Sequence, residues 1–551
     1  MILEYKIEYR SSSLVYEKIF QKHITQSGLS GKIARDGYIL KLYVESDSVD
    51  VLEDFAQSFS LSLPNSIFLH GVEANVVESM PTDSIEIDAK YKLELPFCPE
   101  CKERVEDSSS DSYYDISTKC EVCGYSRDVA SKSYKDEIEA LAKEICDGNV
   151  ATVDTMYGRY SVGRVGSICN DISFDIVAYD LATVERYTHS AEYELNLLAS
   201  FEKPLIKFKT NTKFLMDFED VTRELIRFKL PDDFVLHLLM VELHKLGVNL
   251  IFITKDSLDS SVEFLLSSEV KELEPIEIVA SEKEMLIISG DKGLPTIKSD
   301  REPLNRSVDR FYSIIDEYRL DDDNIACINL DTKDSSTILV YGKRYGMVEY
   351  LALDANFSSV KEVFARIAST NESGLSLVKN YKAKYPELFD KIVDIEFDNT
   401  QFNVYRLWGL IAIILGYSDT KEPSEASKKV ESNIEMFLGK KGPRIDYKLY
   451  NEDGKVFYDA LMSIRTAMSF KLAGVDELML TFGVMESFIE FVVNEIDEAQ
   501  NSMSTSAVLL SGDMLRDKNI FNKFMSEALI NHRVYTHNEV NLKLSNLVKV
   551  D

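Results

Sequence analysis

Cys98, Cys101, Cys120 and Cys123 constrain this chain more than any other residues. They form two Cys-x2-Cys pairs, in FCPEC and CEVCG, separated by 18 residues. Each pair makes a knuckle, and two knuckles at this spacing bring four thiolates around one ion. Four soft sulfurs suit tetrahedral Zn²⁺ at a Zn–S distance of ~2.3 Å. A site closed by four protein ligands has no open position, so such an ion holds structure and does no hydrolysis. Two disulfides are the alternative use of the same residues. The other cysteines, Cys146, Cys169 and Cys327, are scattered and odd in number, as expected of reduced thiols in a cytoplasm.

A chain of 551 residues holds three or four domains at about 150 residues each. With 45% hydrophobic and 10% aromatic residues it can bury several cores, which excludes global disorder. The N-terminus, MILEYKIEYR, carries charges where a signal peptide needs an apolar run. The longest apolar stretch, Leu407 to Gly416, is about half of the ~20 residues that cross a bilayer. A cytoplasmic protein without membrane insertion is expected. The net charge of −31, with no clustered Lys and Arg, argues against partners that present phosphates, so no nucleic-acid partner is expected. The local run Lys440 to Arg444 reads as a solvated turn.

The N-terminal 90 residues alternate strand and helix patterns. Leu3–Arg10 reads as a strand and Leu14–Ser27 as an amphipathic helix ending at Gly28. Residues 31–38 read as a hairpin with an Asp-Gly turn that runs into the strand Ile39–Glu45. Asp50–Leu61 reads as a second helix and Val72–Val77 as a last strand, giving the β-α-β-β-α-β order of a ferredoxin-like domain. Beyond the cysteine module, helix Lys135–Cys146, strand Ala151–Thr155, helix Leu236–Leu246 and strand Asn249–Thr254 read as mixed α/β. The polar run Asp300–Ser307 reads as a boundary. A last domain opens with a helix over 308–318 and strands Ala326–Leu330 and Ser336–Tyr341. It closes with helices over Val456–Leu472 and Leu478–Glu498 and a strand–turn–helix at Ala507–Leu529.

This order, with the stretch CPECKERVEDSSSDSYYDISTKCEVCG and its Asp107 and paired Tyr113 and Tyr114, resembles the HypF family of nickel–iron hydrogenase maturation carbamoyltransferases. The resemblance implies an α/β multidomain fold: an acylphosphatase-like domain at 1–90, a HypF-type zinc finger at 91–130, a YrdC-like domain at 131–305 and a C-terminal domain of the sugar-kinase/actin ATPase type at 306–551. That family makes carbamoyl-AMP from carbamoyl phosphate and ATP, then passes the carbamoyl group to a partner maturation protein on the way to hydrogenase cyanide ligands.

Its catalytic motifs are eroded here. An acylphosphatase cradles an acyl phosphate in a Gly-rich loop ending in Arg, since backbone N–H groups and a guanidinium must neutralise it. The corresponding stretch, Tyr9–Arg10–Ser11–Ser12–Ser13–Leu14, has no glycine, and Ala34 stands where the family has a water-orienting Asn. Asp147–Gly148–Asn149–Val150 and Thr155 to Tyr160 resemble the opening of the family's nucleotide cleft, and Ala199 to Pro204 a later segment. The basic K-x-R and S-G-N elements have no clear counterpart. Leu509–Leu510–Ser511–Gly512–Asp513–Met514 resembles the family's L-S-G-G-V-F phosphate turn, which makes Ser511 and Gly512 nucleotide-loop candidates, but Asp513 replaces the second Gly. Thr536–His537–Asn538–Glu539–Val540 replaces a metal-ligating P-N-D-G-G run. Asp331 offers a first-phosphate-loop Asp, followed by an unsuitable Lys333. His237 and His244, seven apart on one helix, read as core or groove residues.

The resemblance therefore implies a shortened, HydE-type maturation protein: an accessory factor with structural zinc whose partners are hydrogenase maturation proteins or hydrogenase structural subunits. An active carbamoyltransferase that uses ATP is the alternative, and a tRNA-modification relative a third.

Overall fold

The computed structural model describes all residues except 12, 86–95, 121–122, 169–170, 267–273, 291–297, 300–305, 454, 539–540, 543–547 and 550–551. Cys169, Glu539, Val540 and most of the 300–307 boundary therefore lie outside the described residues. The chain divides into two compact units, residues 1–278 with 289–295, and residues 279–288 with 296–551.

The first unit begins with the expected ferredoxin-like layer. Strands β1 (Ile2–Tyr9), β2 (Ser30–Asp36), β3 (Ile39–Glu45) and β4 (Leu69–Val77) lie in the order β2-β3-β1-β4. Helices Val15–Ser27 and Val49–Ser62 bury Phe20, Phe55 and Phe59 beneath the sheet. Gly28 ends the first helix at φ +66° and Gly37 makes the hairpin turn at φ +56°, positions that favour a residue without a Cβ.

A larger mixed sheet follows, built from β5 (Ala151–Thr155), β6 (Gly158–Arg164), β7 (Asp175–Ala178), β8 (Leu205–Lys209), β9 (Leu225–Lys229), β10 (Leu250–Thr254) and β11 (Val262–Phe264). Their order is β11-β5-β6-β10-β7-β9-β8, and Glu277–Ile278 runs parallel beside β8. The helices Lys135–Cys146 and Phe234–Lys245 pack on this layer. The second starts where Asp233 accepts the Leu236 N–H at 2.9 Å, an N-cap that satisfies a donor the helix leaves open.

The second unit is centred on a five-stranded sheet in which Ile325–Asn329 lies between the antiparallel Thr337–Gly342 and the parallel Ala507–Ser511. Its core includes the helix Val404–Leu415, whose twelve residues are all buried. This is the apolar run noted in the sequence. It is capped by Asn403 and ended by Gly416 at φ +69°, and it carries the single tryptophan, Trp408. Among the described residues, no helix is long and apolar enough to cross a membrane.

One expected helix is shorter than read. Residues 455–458 form a strand paired with Leu449–Glu452, and the helix begins at Ala460. Asp459 decides this boundary, because its carboxylate accepts the N–H groups of Leu461 and Met462.

Candidate functional site

The short helix Pro99–Glu106 begins at Cys98, with a proline at its first position where no N–H is missed. It presents Cys98 and Cys101 on one side. The second knuckle turns at Gly124, whose φ is +71° and whose N–H donates to Cys120 O at 3.0 Å. The four Sγ atoms lie within 4.8 Å of one another. Cys98–Cys101, Cys98–Cys120 and Cys101–Cys123 are separated by 3.6, 3.9 and 3.8 Å. Sulfurs at the corners of a tetrahedron with Zn–S bonds near 2.3 Å stand ~3.8 Å apart, so the cage already has the size and donor set that suit zinc. Cys101 and Cys123 are fully buried. Arg104 Nη2 donates to Cys101 Sγ at 3.5 Å and the Cys123 N–H to Cys120 Sγ at 3.5 Å, contacts that stabilise thiolate charge and orient the ligands.

The cysteine module is anchored on the helix Phe234–Lys245. Phe97 stacks on Phe234 at 4.4 Å and Tyr125 meets the same ring edge-on at 4.5 Å. Arg127 reaches Asp233 at 2.8 Å and Asp154 O at 2.8 Å, and Tyr114 donates its hydroxyl to Glu242. His237 Nε2 is 2.7 Å from Glu106 Oε1. Burial lowers the His237 imidazole below its ordinary value, and the His237 hydrogen bond holds the Glu106 carboxyl low, so a neutral ring donates to a carboxylate. His244 instead stacks on Tyr179 at 4.0 Å. The two histidines therefore serve packing and do not converge on an ion.

Among the described residues of the loop after β1, carbonyl groups and not N–H groups converge on one point. The Arg35 guanidinium lies against it, donating to Ser13 O at 3.2 Å, Tyr9 O at 3.4 Å and Ser11 O, while Glu17 accepts at 2.7 Å. The loop thus turns carbonyl groups toward an internal cation. Arg10 lies beside Glu8 at 2.9 Å.

The large sheet carries a cavity of about 420 Å³ lined by Tyr160, Asp175, Arg227, Lys255, Asp256, Glu274 and Glu277, among others. Its guanidinium, Arg227, is held by Asp175 at 2.6 Å and Glu277 at 3.0 Å. Of the strand–loop residues 155–160, Tyr160 lines this cavity, whereas Thr155 closes its own turn onto Gly158 O. Arg159 pairs with Asp154 at 2.8 Å.

In the second unit, Asp331 and Asp513 lie on two neighbouring loops, joined through Thr332. Asp331 Oδ2 takes Arg310 Nη1 at 2.6 Å, and its Oδ1 takes the N–H groups of Lys333 and Asp334. Asp513 accepts the Thr332 N–H at 2.7 Å and the Thr332 hydroxyl at 2.8 Å. Ser511 is fully buried, and Gly512 has φ +121°.

No protein-family model matches the chain. It is 26% identical over 483 residues to Protein HydE of Wolinella succinogenes, with 86% of each chain covered. T. kodakarensis HypF matches with a TM-score of 0.69 at 12% identity, over 99% of this chain and 97% of that one. The chain has the HypF fold. Full-length HypF in its phosphate- and nucleotide-bound form matches over the same shares with a TM-score of 0.64, again at 12% identity.

Sequence reasoning named the four cysteines that lie together and put His237 and His244 on one helix. It missed Arg35, Arg310 and the direction of Asp513, which faces Thr332. For Arg310 the sequence offered only a cation on an amphipathic helix, with nothing local to reveal a partner 21 residues away.

Proposed function

We propose that this chain is a HypF-related accessory factor in nickel–iron hydrogenase maturation, acting in assembly and not as the carbamoyltransferase. The observation that carries this reading is the contrast between scale and site. Nearly the whole chain follows the HypF fold, while polar groups at the loops and cavity that resemble the family's sites are engaged by the chain's own side chains. Arg35 lies under the first loop, Asp175 and Glu277 hold Arg227 in the cavity, and Asp513 holds Thr332. Transfer chemistry needs pre-organised donors aimed at developing charge, and a donor already hydrogen-bonded internally is not available for that work. The relative named HydE supports the same assignment.

In this reading Cys98, Cys101, Cys120 and Cys123 hold a structural zinc that fixes the finger on the helix Phe234–Lys245. The domains are those read from the sequence, at 1–90, 91–130, 131–305 and 306–551. The partners are hydrogenase maturation proteins or hydrogenase structural subunits in the cytoplasm, met through surfaces that survive the loss of catalytic ligands. The test is carbamoyl-phosphate-dependent cleavage of ATP to AMP and pyrophosphate by the zinc-loaded protein, with HypF as control. No turnover is expected, and turnover near the control's would establish a second carbamoyltransferase instead.

A further inference from the structure

Open α/β sheets take ligands in the crevice beyond the carboxyl ends of neighbouring strands, where backbone N–H groups are exposed. Ile325–Asn329 and Ala507–Ser511 are such a pair, parallel and in register, with Asn329 opposite Ser511. The loops that follow them, 330–334 and 512–514, face each other. Gly512 permits this approach, since a Cβ there would stand 2.0 Å from Leu330 O.

The floor of the crevice is polar and unsatisfied. Asn329 and Ser511 are both fully buried, and among the described residues neither Asn329 Oδ1 nor Ser511 Oγ has a hydrogen-bond partner. A buried hydroxyl without a partner is rare in native proteins, and the Ser511 O–H is a donor that an anion can take, whereas Asn329 Oδ1 is an acceptor and offers an anion nothing. The rim is satisfied by the chain itself: Asp513 accepts an N–H and an O–H from Thr332 through its two oxygens. A phosphate oxygen pair engages a loop through the same donors.

We propose that the Asp513 carboxylate is a built-in ligand of this crevice, standing in for a phosphate, so that the two loops are joined with no nucleotide bound. This rests on the reading of the chain as a factor that does not turn over ATP. A carboxylate tethered two residues from Ser511 is present at an effective concentration that free phosphate does not reach. Its charge also repels any anion that approaches the same donors. The loop arrangement that a nucleotide would stabilise is thereby made permanent, which suits a scaffold and not an ATPase.

The experiment is a thermal melt of the full zinc-loaded chain, read by Trp408 fluorescence, with inorganic phosphate, MgATP or Mg²⁺ alone. The wild type is expected to show no shift with any of them. Asp513→Gly, which clears the carboxylate, is expected to melt higher by ~3 °C at ligand ten times above Kd. A rise with phosphate identifies a free-phosphate site, and a rise with MgATP alone identifies a nucleotide's phosphate held through a cation; both support the proposal. Asp513→Asn keeps the bulk and an acceptor for Thr332, and is expected to gain nothing. Asp513→Ser replaces the glycine variant, under the same criteria, should that variant fail to fold. An equal shift in the wild type, a shift with Mg²⁺ alone, or a folded variant with no shift overturns the proposal. Turnover of carbamoyl phosphate and ATP by the wild type would overturn the proposed function itself, whereas an inert wild type with an unresponsive variant overturns only the built-in ligand.

Discussion

Replacing Arg310 by Met should destabilise the second unit far more than its loss of contacts suggests. Arg310 and Asp331 are both fully buried and meet at 2.6 Å. Met fills much of the volume, so the cost comes from the carboxylate left behind. Asp331 would keep the N–H groups of Lys333 and Asp334 but lose the Arg310 guanidinium. Breaking a buried pair in this way costs about 3–5 kcal/mol. The second bond, Arg310 Nη2 to Leu542 O at 3.5 Å, is too long to add much. Burial by itself would raise the Asp331 carboxyl, but Arg310 and the two N–H groups outweigh it and hold the group below its ordinary value. A carboxyl depressed in the folded state stabilises above its unfolded value, near ~3.9, and that contribution fades as pH falls through the folded value. The gap between wild type and Arg310→Met should therefore be full at pH 7 and narrow below pH ~4. Trp408, the single tryptophan, lies in the core of the second unit, so its fluorescence reports that unit alone. Urea unfolding followed this way should show the loss, and Arg310→Met/Asp331→Asn should recover part of it because a buried charge that has lost Arg310 is gone. A loss under ~1 kcal/mol, or a double variant no better than the single one, would refute the argument.

Three further outcomes are expected. Cys101→Ser should release the bound ion and melt the cysteine module first, since binding there is folding free energy; metal content by mass spectrometry and protease sensitivity near residue 110 check this. Gly512→Ala should cost ~3 kcal/mol or more, because it combines φ +121° with a Cβ 2.0 Å from Leu330 O, and Trp408 melting reads the loss. Burial and the nearby Arg310 push His537 down to about 3, so the folded state refuses a proton that the unfolded chain takes up below ~6.5. Stability of the second unit should fall from pH ~6.5 towards 3 by up to ~1.4 kcal/mol per unit, and His537→Gln should flatten that slope.

The legible parts of this molecule were those governed by local rules. The Asp-Gly turn, Gly28 after its helix and the helix Lys135–Cys146 follow from turn chemistry, capping and periodicity, and all lie where the sequence placed them. The cysteine cage was legible because ligand spacing carries geometry. What stayed hidden depends on pairs remote in the sequence. Asp513 and Thr332 are 181 residues apart, and no local pattern says that a charge replacing a glycine will turn onto a neighbouring loop. Arg35 reads as a hairpin residue, and only the packed sheet brings it against Tyr9, Ser11 and Ser13. The strand at 455–458 was misread because its apolar residues continue the helical pattern across Asp459.

The most direct test of the account is genetic and biochemical together: delete the gene in a host that makes a nickel–iron hydrogenase, and measure hydrogenase activity with HypF left intact. The account predicts that activity is lost or sharply reduced and returns with the wild-type chain, but not with Cys101→Ser. Unchanged hydrogenase activity in the deletion strain would contradict it.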